Sequence, residues 1–299
     1  MQMHSGQLTV STEAVRELVS LQFPQWEASP VSAVASHGTV NAIFRVGHDL
    51  CARFPLQRAD VEPTRRWLES EAAAARRLVG RTRFRTPEPI AIGEPGAGYP
   101  LPWSVQTWLP GTVANEQDPS GSVAFARDLA QFVREVRVMD TEGRTFDGTN
   151  RGGDLRSHDA WMAECFERSE GMLDVPWLRR TWRELRKLPR TAVDVMTHGD
   201  LTPGNLLVAD GRLTGVLDVG GLAPADPALD LVAAWHGMAT DPRQEFRVML
   251  ACDDLEWARG AAWAFQQALG AAWYYADSNP TMSEMGRRTL AHIAANPPL

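Results

Sequence analysis

Three polar residues surround one apolar stretch in the sequence THGDLTPGNLLVADGRLTGVLDVG, and their types suit catalysis. Asp200 is followed by Asn205 and later by Asp218. Between the last two, apolar runs stand on either side of Asp210-Gly211, a pair that predicts a β-hairpin. The residues just before and just after such a hairpin lie at its open end, so we expect the carboxamide of Asn205 and the carboxylate of Asp218 to lie together.

Oxygen donors of this kind are the ligands that Mg²⁺ takes in proteins, often shared with substrate phosphates. Asp200 sits on a loop tightened by Pro203-Gly204 and could face the same point without binding the metal. Each residue alone is equally compatible with a turn, a cap or a strand end, roles that Asp and Asn often fill. The combined HGDxxxxN pattern with a delayed Asp is seldom met by chance, so the set favours a catalytic site.

The composition bounds the class of protein. At 299 residues the chain suits two lobes or one large α/β domain, and 44% hydrophobic with 22% charged residues is an ordinary globular balance. Residues 1–99 carry 11 arginines and 10 acidic residues, whereas residues 100–299 carry 19 basic and 27 acidic residues. The acidic second part argues against nucleic acid or an anionic membrane as a partner and favours a cationic small-molecule substrate.

The signals for targeting and redox state fit a cytoplasmic protein. Residues 1–20 show no basic stretch followed by an apolar core, so no signal peptide is expected. The most apolar segment, residues 260–276, is interrupted by Gln266 and Gln267 and is short for a membrane span, so a buried helix is expected. The three cysteines lie far apart without a CxxC pair, which excludes a zinc ribbon and fits a reducing compartment.

The first hundred residues predict a small sheet with one helix. Residues 31–47 and 50–56 read as three short strands, and residues 87–93 and 101–109 add two more. Residues 61–80 predict the helix, with Pro63 in its first turn and an alanine run behind it. We expect these elements to form one lobe, residues 1–108.

The remaining residues, 109–299, predict a second and mainly helical lobe. Helical spacing of apolar residues appears in four segments, residues 122–139, 177–188, 256–276 and 285–295. The hairpin is the only clear β-structure expected in this half. Residues 140–160 are polar and rich in glycine, so we expect a long loop there.

The His198-Gly199-Asp200 triplet followed by Asn205 resembles the catalytic loop of the aminoglycoside phosphotransferase family. The stretch GVLDVGGLAPADPALDLVAAW, residues 215–235, resembles the second motif of that family, and blocks such as GTVNAIFRVG and PWSVQTWLPG follow in family order. The resemblance covers almost the whole chain. It implies an α+β fold of the bilobal protein-kinase-like type, with a five-stranded antiparallel sheet plus one helix in the N-lobe and a larger helical C-lobe that carries a catalytic β-hairpin.

The resemblance also implies roles for the three polar residues. Asp200 matches the catalytic aspartate, which takes the proton of the acceptor hydroxyl, and Asn205 and Asp218 match the ligands of Mg²⁺. The implied reaction moves the γ-phosphoryl group of ATP or GTP to a small-molecule hydroxyl, with an aminoglycoside or macrolide antibiotic as the expected acceptor. Val219 stands where the family usually has phenylalanine.

The phosphate anchor departs from the kinase pattern, which places a lysine on a strand of the N-lobe. The only lysine of the chain, Lys187, lies in the second half, so Arg53 is the candidate, because a guanidinium forks onto two phosphate oxygens. A solvent-facing arginine would show the same strand pattern. Glu71 in the following helix is the expected ion-pair partner of Arg53, with Glu69 as the rival.

The other nucleotide contacts are expected from the main chain. The loop at Gly38 and Thr39 would cover the phosphates with one glycine where a protein kinase has three. The nucleobase would bind backbone groups of the strand from Gln106 to Trp108.

Three alternatives stay open at this point. The enzyme could phosphorylate a small cellular metabolite, or the chain could be a nucleotide-binding pseudokinase module, which Arg53 and the single-glycine loop favour. A metal hydrolase using His198 and Asp200 is the third, although the seven histidines are scattered. For His198 we expect loop anchoring, and for Asp226 a helix cap formed with Pro227.

Overall fold

The computed structural model describes residues 6–35, 38 and 40–298 and shows an α+β chain. The chain divides into two compact units. The first comprises Met1–Gly80, Arg85–Pro110 and Leu217–Gly220, and the second comprises Arg81–Phe84, Gly111–Val216 and Gly221–Leu299.

The first unit is built on a five-stranded antiparallel sheet in the order β1-β2-β3-β5-β4. Its elements are α1 (Thr12–Gln22), β1 (Val31–Val34), β2 (Asn41–Val46), β3 (Leu50–Pro55), α2 (Val61–Leu78), β4 (Pro89–Gly93) and β5 (Trp103–Thr107). The predicted strands and the helix inserted after β3 are confirmed, and β3 lies at the centre of the sheet.

An aromatic cluster holds one face of this sheet. Phe54 of β3 stacks on Trp103 of β5 with ring centroids 4.8 Å apart, and Phe44 of β2 meets Phe54 edge to face at 5.6 Å. All three side chains are at most 4% exposed to solvent. Such ring geometries add to the stability that burial alone gives, so they fix β3 in register between β2 and β5.

Helix α1 was not among the predicted elements of this unit. Ser11 caps it by accepting a hydrogen bond from the Ala14 N–H, and its buried face packs on the sheet through Val15, Leu18 and Val19. The helix has only 11 residues, so its apolar stripe is short and easy to miss in the sequence. Its packing, more than its propensity, explains why it forms.

The second unit is mainly helical. Its elements are β6 (Thr112–Val113), α3 (Val123–Arg137), α4 (Asp159–Arg168), α5 (Val175–Leu185), β7 (Val195–Thr197), β8 (Leu206–Ala209), β9 (Arg212–Val216), β10 (Ala223–Ala225), α6 (Val232–Gly237), α7 (Thr240–Leu250), α8 (Asp254–Tyr274) and α9 (Pro280–Ala295). The predicted hairpin is β8–β9, and the structure adds β6 beside β8 and a separate β7–β10 pair. The expected loop over residues 140–160 ends earlier, because a short 3₁₀ turn at Leu155–His158 leads directly into α4.

The hairpin turn has the predicted chemistry. Asp210 and Gly211 both have positive φ angles, +51° and +69°, as a two-residue turn that matches strand twist requires. Ser122 Oγ donates a hydrogen bond of 2.7 Å to the Gly211 carbonyl. At the other end of the hairpin Leu206 pairs with Val216, so Asn205 immediately precedes the paired ends.

Helix α8 forms the core of the second unit. Most of its 21 residues are buried, including Trp263 and Phe265, as predicted for the most apolar segment. Within the described residues no helix is both long and apolar enough to span a membrane. Gln266 is buried at 5% exposure, so α8 carries polar side chains into an apolar environment.

Candidate active site

The loop after β7 is held by one buried carboxylate. The backbone N–H groups of His198 and Gly199 donate to the two oxygens of Asp230, each at 2.9 Å. Burial raises the pKa of Asp230, while His198 and the two N–H donors act in the opposite direction. Gly199 has φ +83°, a conformation that residues with a Cβ adopt at a cost. The loop is therefore anchored to Asp230 at its start.

His198 supports the loop and is placed away from solvent. Its Nδ1 accepts a hydrogen bond of 3.2 Å from the Asp200 N–H, and its ring meets Phe132 edge to face at 6.2 Å. The side chain is only 1% exposed. These contacts agree with the expected anchoring role.

The carboxylate of Asp200 is oriented by three side-chain donors. Its Oδ2 accepts from Asn205 Nδ2 at 3.1 Å. Its Oδ1 accepts from Gln267 Nε2 at 2.6 Å and from Arg151 Nη2 at 3.0 Å. The side chain of Asp200 is nevertheless 40% exposed. An oriented carboxylate that still reaches solvent can accept a proton from a bound hydroxyl.

The amide nitrogen of Asn205 donates two hydrogen bonds to Asp200. Nδ2 donates to the carbonyl oxygen of Asp200 at 2.9 Å as well as to its Oδ2. Both neighbours are oxygen acceptors, so the NH₂ group must face them. The Oδ1 atom of Asn205 is left as the hard oxygen donor that a magnesium ion requires.

Sequence reasoning missed Arg151 and Gln267. Arg151 lies in the glycine-rich segment before α4, and Gln267 lies in the middle of α8. One signal did exist: a glutamine inside a long apolar helix is costly to bury unless it has a partner. That partner, Asp200, is 67 residues away along the chain.

In the first unit, Arg53 joins two carboxylates. Its Nη1 lies 3.4 Å from Glu71 Oε2 and its Nη2 lies 2.8 Å from Asp218 Oδ1. The structure thus pairs Arg53 with Glu71, the first of the two expected partners, and adds Asp218. Burial alone would lower the pKa of Arg53, but the negative charges of Asp218 and Glu71 outweigh it and leave the pKa above its ordinary value.

The two carboxylates differ in environment. Burial raises the pKa of Glu71, with Arg53 opposing that effect and Asp218 adding to it. Asp218 is 41% exposed and has φ +55°, a left-handed conformation that aspartate tolerates better than most residues. Non-glycine residues in this region cluster at functional sites.

A crevice in the first unit brings together several of the predicted nucleotide residues. Arg53, Glu71 and Gln106 line it, together with Val219 and Gly220. Gln106 is the neighbour of Cys51 across the β3–β5 pair.

Trp108 and Gly38 are not among the residues that line this crevice. The backbone N–H of Trp108 donates to the Asp49 carbonyl at 2.7 Å. The Trp108 ring lies 5.1 Å from the Arg45 guanidinium. Gly38 is exposed, and Thr39 falls outside the described residues.

Gly220 is required by the close approach of Glu71. A Cβ at this position would lie 2.8 Å from the Cβ and Cγ atoms of Glu71, which is too short for atoms near the backbone of a helix. We expect Gly220→Ala to displace Glu71 and to lower the free energy of unfolding by about 1–3 kcal/mol, measured by chemical denaturation. Gly121→Ala is the matched control, because no atom lies within 4 Å of its added Cβ; equal losses in both variants would contradict the prediction.

Asp226 is structural, as expected, and more than a cap. It accepts from the Ala228 N–H at 3.0 Å, and its Oδ2 accepts from Arg259 Nε at 2.8 Å and from Trp263 Nε1 at 3.1 Å. The Asp226 and Arg259 side chains are 2% and 4% exposed. This ion pair therefore ties the start of the Pro227–Leu231 turn to α8.

Arg259→Met should destabilise the protein by about 3–5 kcal/mol, because it leaves the buried charge of Asp226 without its partner. The change is measured as a shift of the denaturant midpoint. Arg247→Met is the control, since Arg247 pairs with the fully exposed Asp254 and such pairs contribute little. A midpoint for Arg259→Met that matches the control would show that Asp226 finds other compensation.

A five-stranded antiparallel sheet with a helix after its central strand, followed by a helical unit with a His-Gly-Asp loop and a β-hairpin, defines the class of protein-kinase-like folds. A model described as the phosphotransferase enzyme family matches residues 33–279. The chain belongs to this family, that of the aminoglycoside phosphotransferases.

Curated relatives carry the same family name. The chain is 32% identical to aminoglycoside 3′-phosphotransferase of Streptomyces fradiae over 181 residues, 56% of this chain and 64% of the relative. It is 38% identical to aminoglycoside 3′-phosphotransferase of Escherichia coli over 147 residues, 45% of this chain and 52% of the relative. The matches thus span between half and two thirds of the length of these relatives.

Solved structures show the same fold. The GDP complex of wild-type aminoglycoside 2′-phosphotransferase-IIIa superposes with a TM-score of 0.70 at 19% identity and covers 96% of this chain and 100% of that one. The apoenzyme of a macrolide 2′-phosphotransferase from Brachybacterium faecium superposes with a TM-score of 0.60 at 20% identity, covering 96% of this chain and 99% of that one. At such identities the likeness shows the fold alone.

Proposed function

We propose that the protein transfers the γ-phosphoryl group of ATP or GTP to a hydroxyl group of a small molecule, with an aminoglycoside or macrolide antibiotic as the acceptor. The observation that carries this proposal is the carboxylate of Asp200, fixed by three donors and still 40% exposed. The names of the relatives support the acceptor class, because they include phosphotransferases of both kinds of antibiotic.

Asp200 would act on the acceptor. The acceptor hydroxyl donates its proton to a carboxylate oxygen of Asp200 while its own oxygen attacks the γ-phosphorus atom. The bond between that phosphorus and the bridging oxygen breaks, and the nucleoside diphosphate leaves with the electron pair. Orientation and charge neutralisation dominate this kind of catalysis, so a carboxylate held in place is the group the step needs.

Asn205 and Asp218 would hold Mg²⁺, which neutralises phosphate charge when bound. The donor chemistry fits, since Asn205 keeps its Oδ1 atom and Asp218 is a half-exposed carboxylate. The hairpin supports the pairing, because Asn205 directly precedes the paired residue Leu206 and Asp218 follows its partner Val216 by two residues.

Arg53 would bind the nucleotide phosphates, with Glu71 holding its side chain. It is a largely buried, permanently charged group, 12% exposed, within one crevice with Gln106. Gly38 and Thr39 would cover the phosphates. At Trp108 the N–H is already engaged, so a nucleobase contact there would use the carbonyl oxygen.

The proposal is tested by incubating the protein with Mg²⁺, ATP or GTP, and a panel of kanamycin, gentamicin, a macrolide and amino-alcohol metabolites. Mass spectrometry reads a product heavier by one phosphoryl group. We expect an antibiotic product that is lost with Asp200→Asn. Transfer to metabolites alone would identify a metabolite kinase, and nucleotide binding without any transfer would identify a pseudokinase module. Absence of Mg²⁺–nucleotide binding by calorimetry would overturn the proposal.

A further inference from the structure

A line of polar side chains, buried at its inner end, runs from the core of the second unit to Asp200. Oγ1 of Thr289 in α9 lies 2.9 Å from Nδ1 of His236 in α6. His236 Nε2 lies 3.0 Å from Oε1 of Gln267 in α8, and Gln267 Nε2 donates to Asp200 Oδ1 at 2.6 Å. Thr289 and His236 are both 0% exposed. We call Thr289, His236 and Gln267 the buried polar chain.

The carboxylate of Asp200 determines which atom donates and which accepts in these hydrogen bonds. Asp200 Oδ1 is a carboxylate oxygen, so the atom of Gln267 that faces it must be the NH₂ group, and the carbonyl Oε1 must face His236. An oxygen that only accepts requires a donor, so Nε2 of His236 carries a hydrogen. The orientation of Gln267 therefore sets the tautomer of His236.

The other ring nitrogen of His236 is then an acceptor. Burial lowers the pKa of His236 to about 4, although its hydrogen bond with Gln267 and the charge of Asp200 act against that shift. The ring is thus neutral at neutral pH, and Nδ1 has a lone pair. Thr289 Oγ1 has one hydrogen and two neighbours, His236 Nδ1 and the Met285 carbonyl, each at 2.9 Å. That hydrogen can point to either acceptor, and pointing it to Nδ1 avoids two lone pairs facing each other at 2.9 Å.

We infer that the buried polar chain positions the catalytic carboxylate: Thr289 fixes His236, His236 fixes Gln267, and Gln267 fixes Oδ1 of Asp200. This inference rests on the proposed function of Asp200. Gln267 and His236 are positioning residues, since neither is required to touch the acceptor.

Within the buried polar chain, Gln267 holds Asp200 more rigidly than Arg151 does. Arg151 comes from an irregular segment, and its side chain is 28% exposed. Its contact with Oδ1 of Asp200 is therefore less constrained. Gln267 comes from the middle of a buried helix of 21 residues. Since errors of about 1 Å in position can cost 10²-fold in rate, the rigid donor is the one that sets the carboxylate.

The hydrogen-bond pattern is tested first, by a measurement that does not depend on activity. Long-range ¹H–¹⁵N NMR spectra of the histidine rings at pH 7 distinguish the two tautomers from the imidazolium ion, and the signal of His236 is assigned by its loss in His236→Gln. We expect hydrogen on Nε2 and none on Nδ1. Hydrogen on Nδ1, in either the other tautomer or the charged ring, would overturn the buried polar chain.

The positioning role is tested by kinetics. Gln267→Met keeps the length and bulk of the side chain without its donor, and we expect kcat to fall about 10- to 100-fold with the KM for nucleotide within about twofold of wild type. His236→Leu should behave similarly, whereas His236→Gln, whose amide N–H can replace Nε2–H, should recover most of kcat. If no acceptor has been found, magnesium-dependent nucleotide hydrolysis by water supplies the rate.

Gln131→Met is the matched control, because the partly buried Gln131 side chain donates to Glu135, one turn further along α3, rather than to Asp200; it should keep wild-type kcat. A Gln267→Met variant with wild-type kcat, or one that only lowers the melting temperature, would overturn the positioning role, and Gln267→Met decides the point even where His236→Leu fails to fold. A wild-type protein without any turnover would overturn the proposed function, and the tautomer would then decide the hydrogen-bond pattern alone.

Discussion

Asp200→Asn should lower kcat for phosphoryl transfer by about 10²- to 10⁴-fold, with the KM for nucleotide unchanged. The carboxamide has almost the same shape but cannot take the acceptor proton. It also turns one acceptor oxygen into an NH₂ group, and every neighbouring side-chain atom at this point is a donor: Arg151 Nη2, Asn205 Nδ2 and Gln267 Nε2. One donor must therefore be left facing another donor.

Steady-state kinetics with an identified acceptor check this result, and calorimetric titration with Mg²⁺–nucleotide checks that binding persists. Asp241→Asn is the matched control, since Asp241 is an exposed aspartate in the first turn of α7. Loss of more than about a hundredfold in Asp200→Asn with full activity in Asp241→Asn is the expected pattern. Comparable rates in the two variants would remove Asp200 from the mechanism.

Local sequence signals were sufficient for the sheet and the hairpin. The five strands, the inserted helix and the Asp210-Gly211 turn each depend on residues within a few positions of one another, and all appear as predicted. The elements that were missed, such as α1 and the β7–β10 pair, are short. They owe their stability to partners elsewhere in the fold, as β7 does to β10 26 residues further on, and a short segment does not record such a partner.

The candidate site likewise contains residues that the sequence indicates and residues that only the fold brings together. The spacing of Asp200, Asn205 and Asp218 could be read from the chain because one loop and one hairpin carry all three. Arg151 and Gln267 reach Asp200 from 49 and 67 residues away, so only the packing of the second unit brings them there. The choice between Glu69 and Glu71 needed the helical rotation of α2, which the structure supplies by pairing Arg53 with Glu71.

Arg53→Met should lower kcat/KM for the nucleotide by at least about 10²-fold, the size expected when a preorganised charge that stabilises phosphate is removed. Methionine matches the stem of arginine but carries no charge. Arg53→Lys should retain part of the activity, because an ammonium group can meet one oxygen but cannot fork onto two. Initial rates at varied nucleotide concentration measure both effects.

The same substitution also affects folding, so its two consequences must be separated. Without Arg53 the partly buried Glu71 loses its counter-ion and stays close to the like charge of Asp218. The double variant Arg53→Met with Glu71→Leu removes that uncompensated charge and should recover stability, while the loss of kcat/KM should remain. Recovery of nucleotide kinetics in the double variant would show that Arg53 serves the fold and does not bind phosphate.

We expect the pH dependence of stability to identify Glu71 as the source of the folding cost of Arg53→Met. The pKa of Glu71 is already raised in the folded protein by burial, and removing Arg53 takes away the charge that lowers it. A raised carboxyl pKa means that the folded state holds its proton to higher pH than the unfolded state, so stability falls as pH rises from the ordinary value through the folded one. Relative to wild type, Arg53→Met should therefore be most destabilised at neutral pH and least destabilised in acid. Denaturant midpoints from pH 4 to pH 8 measure this slope, and a loss that is constant with pH would assign the cost to packing instead.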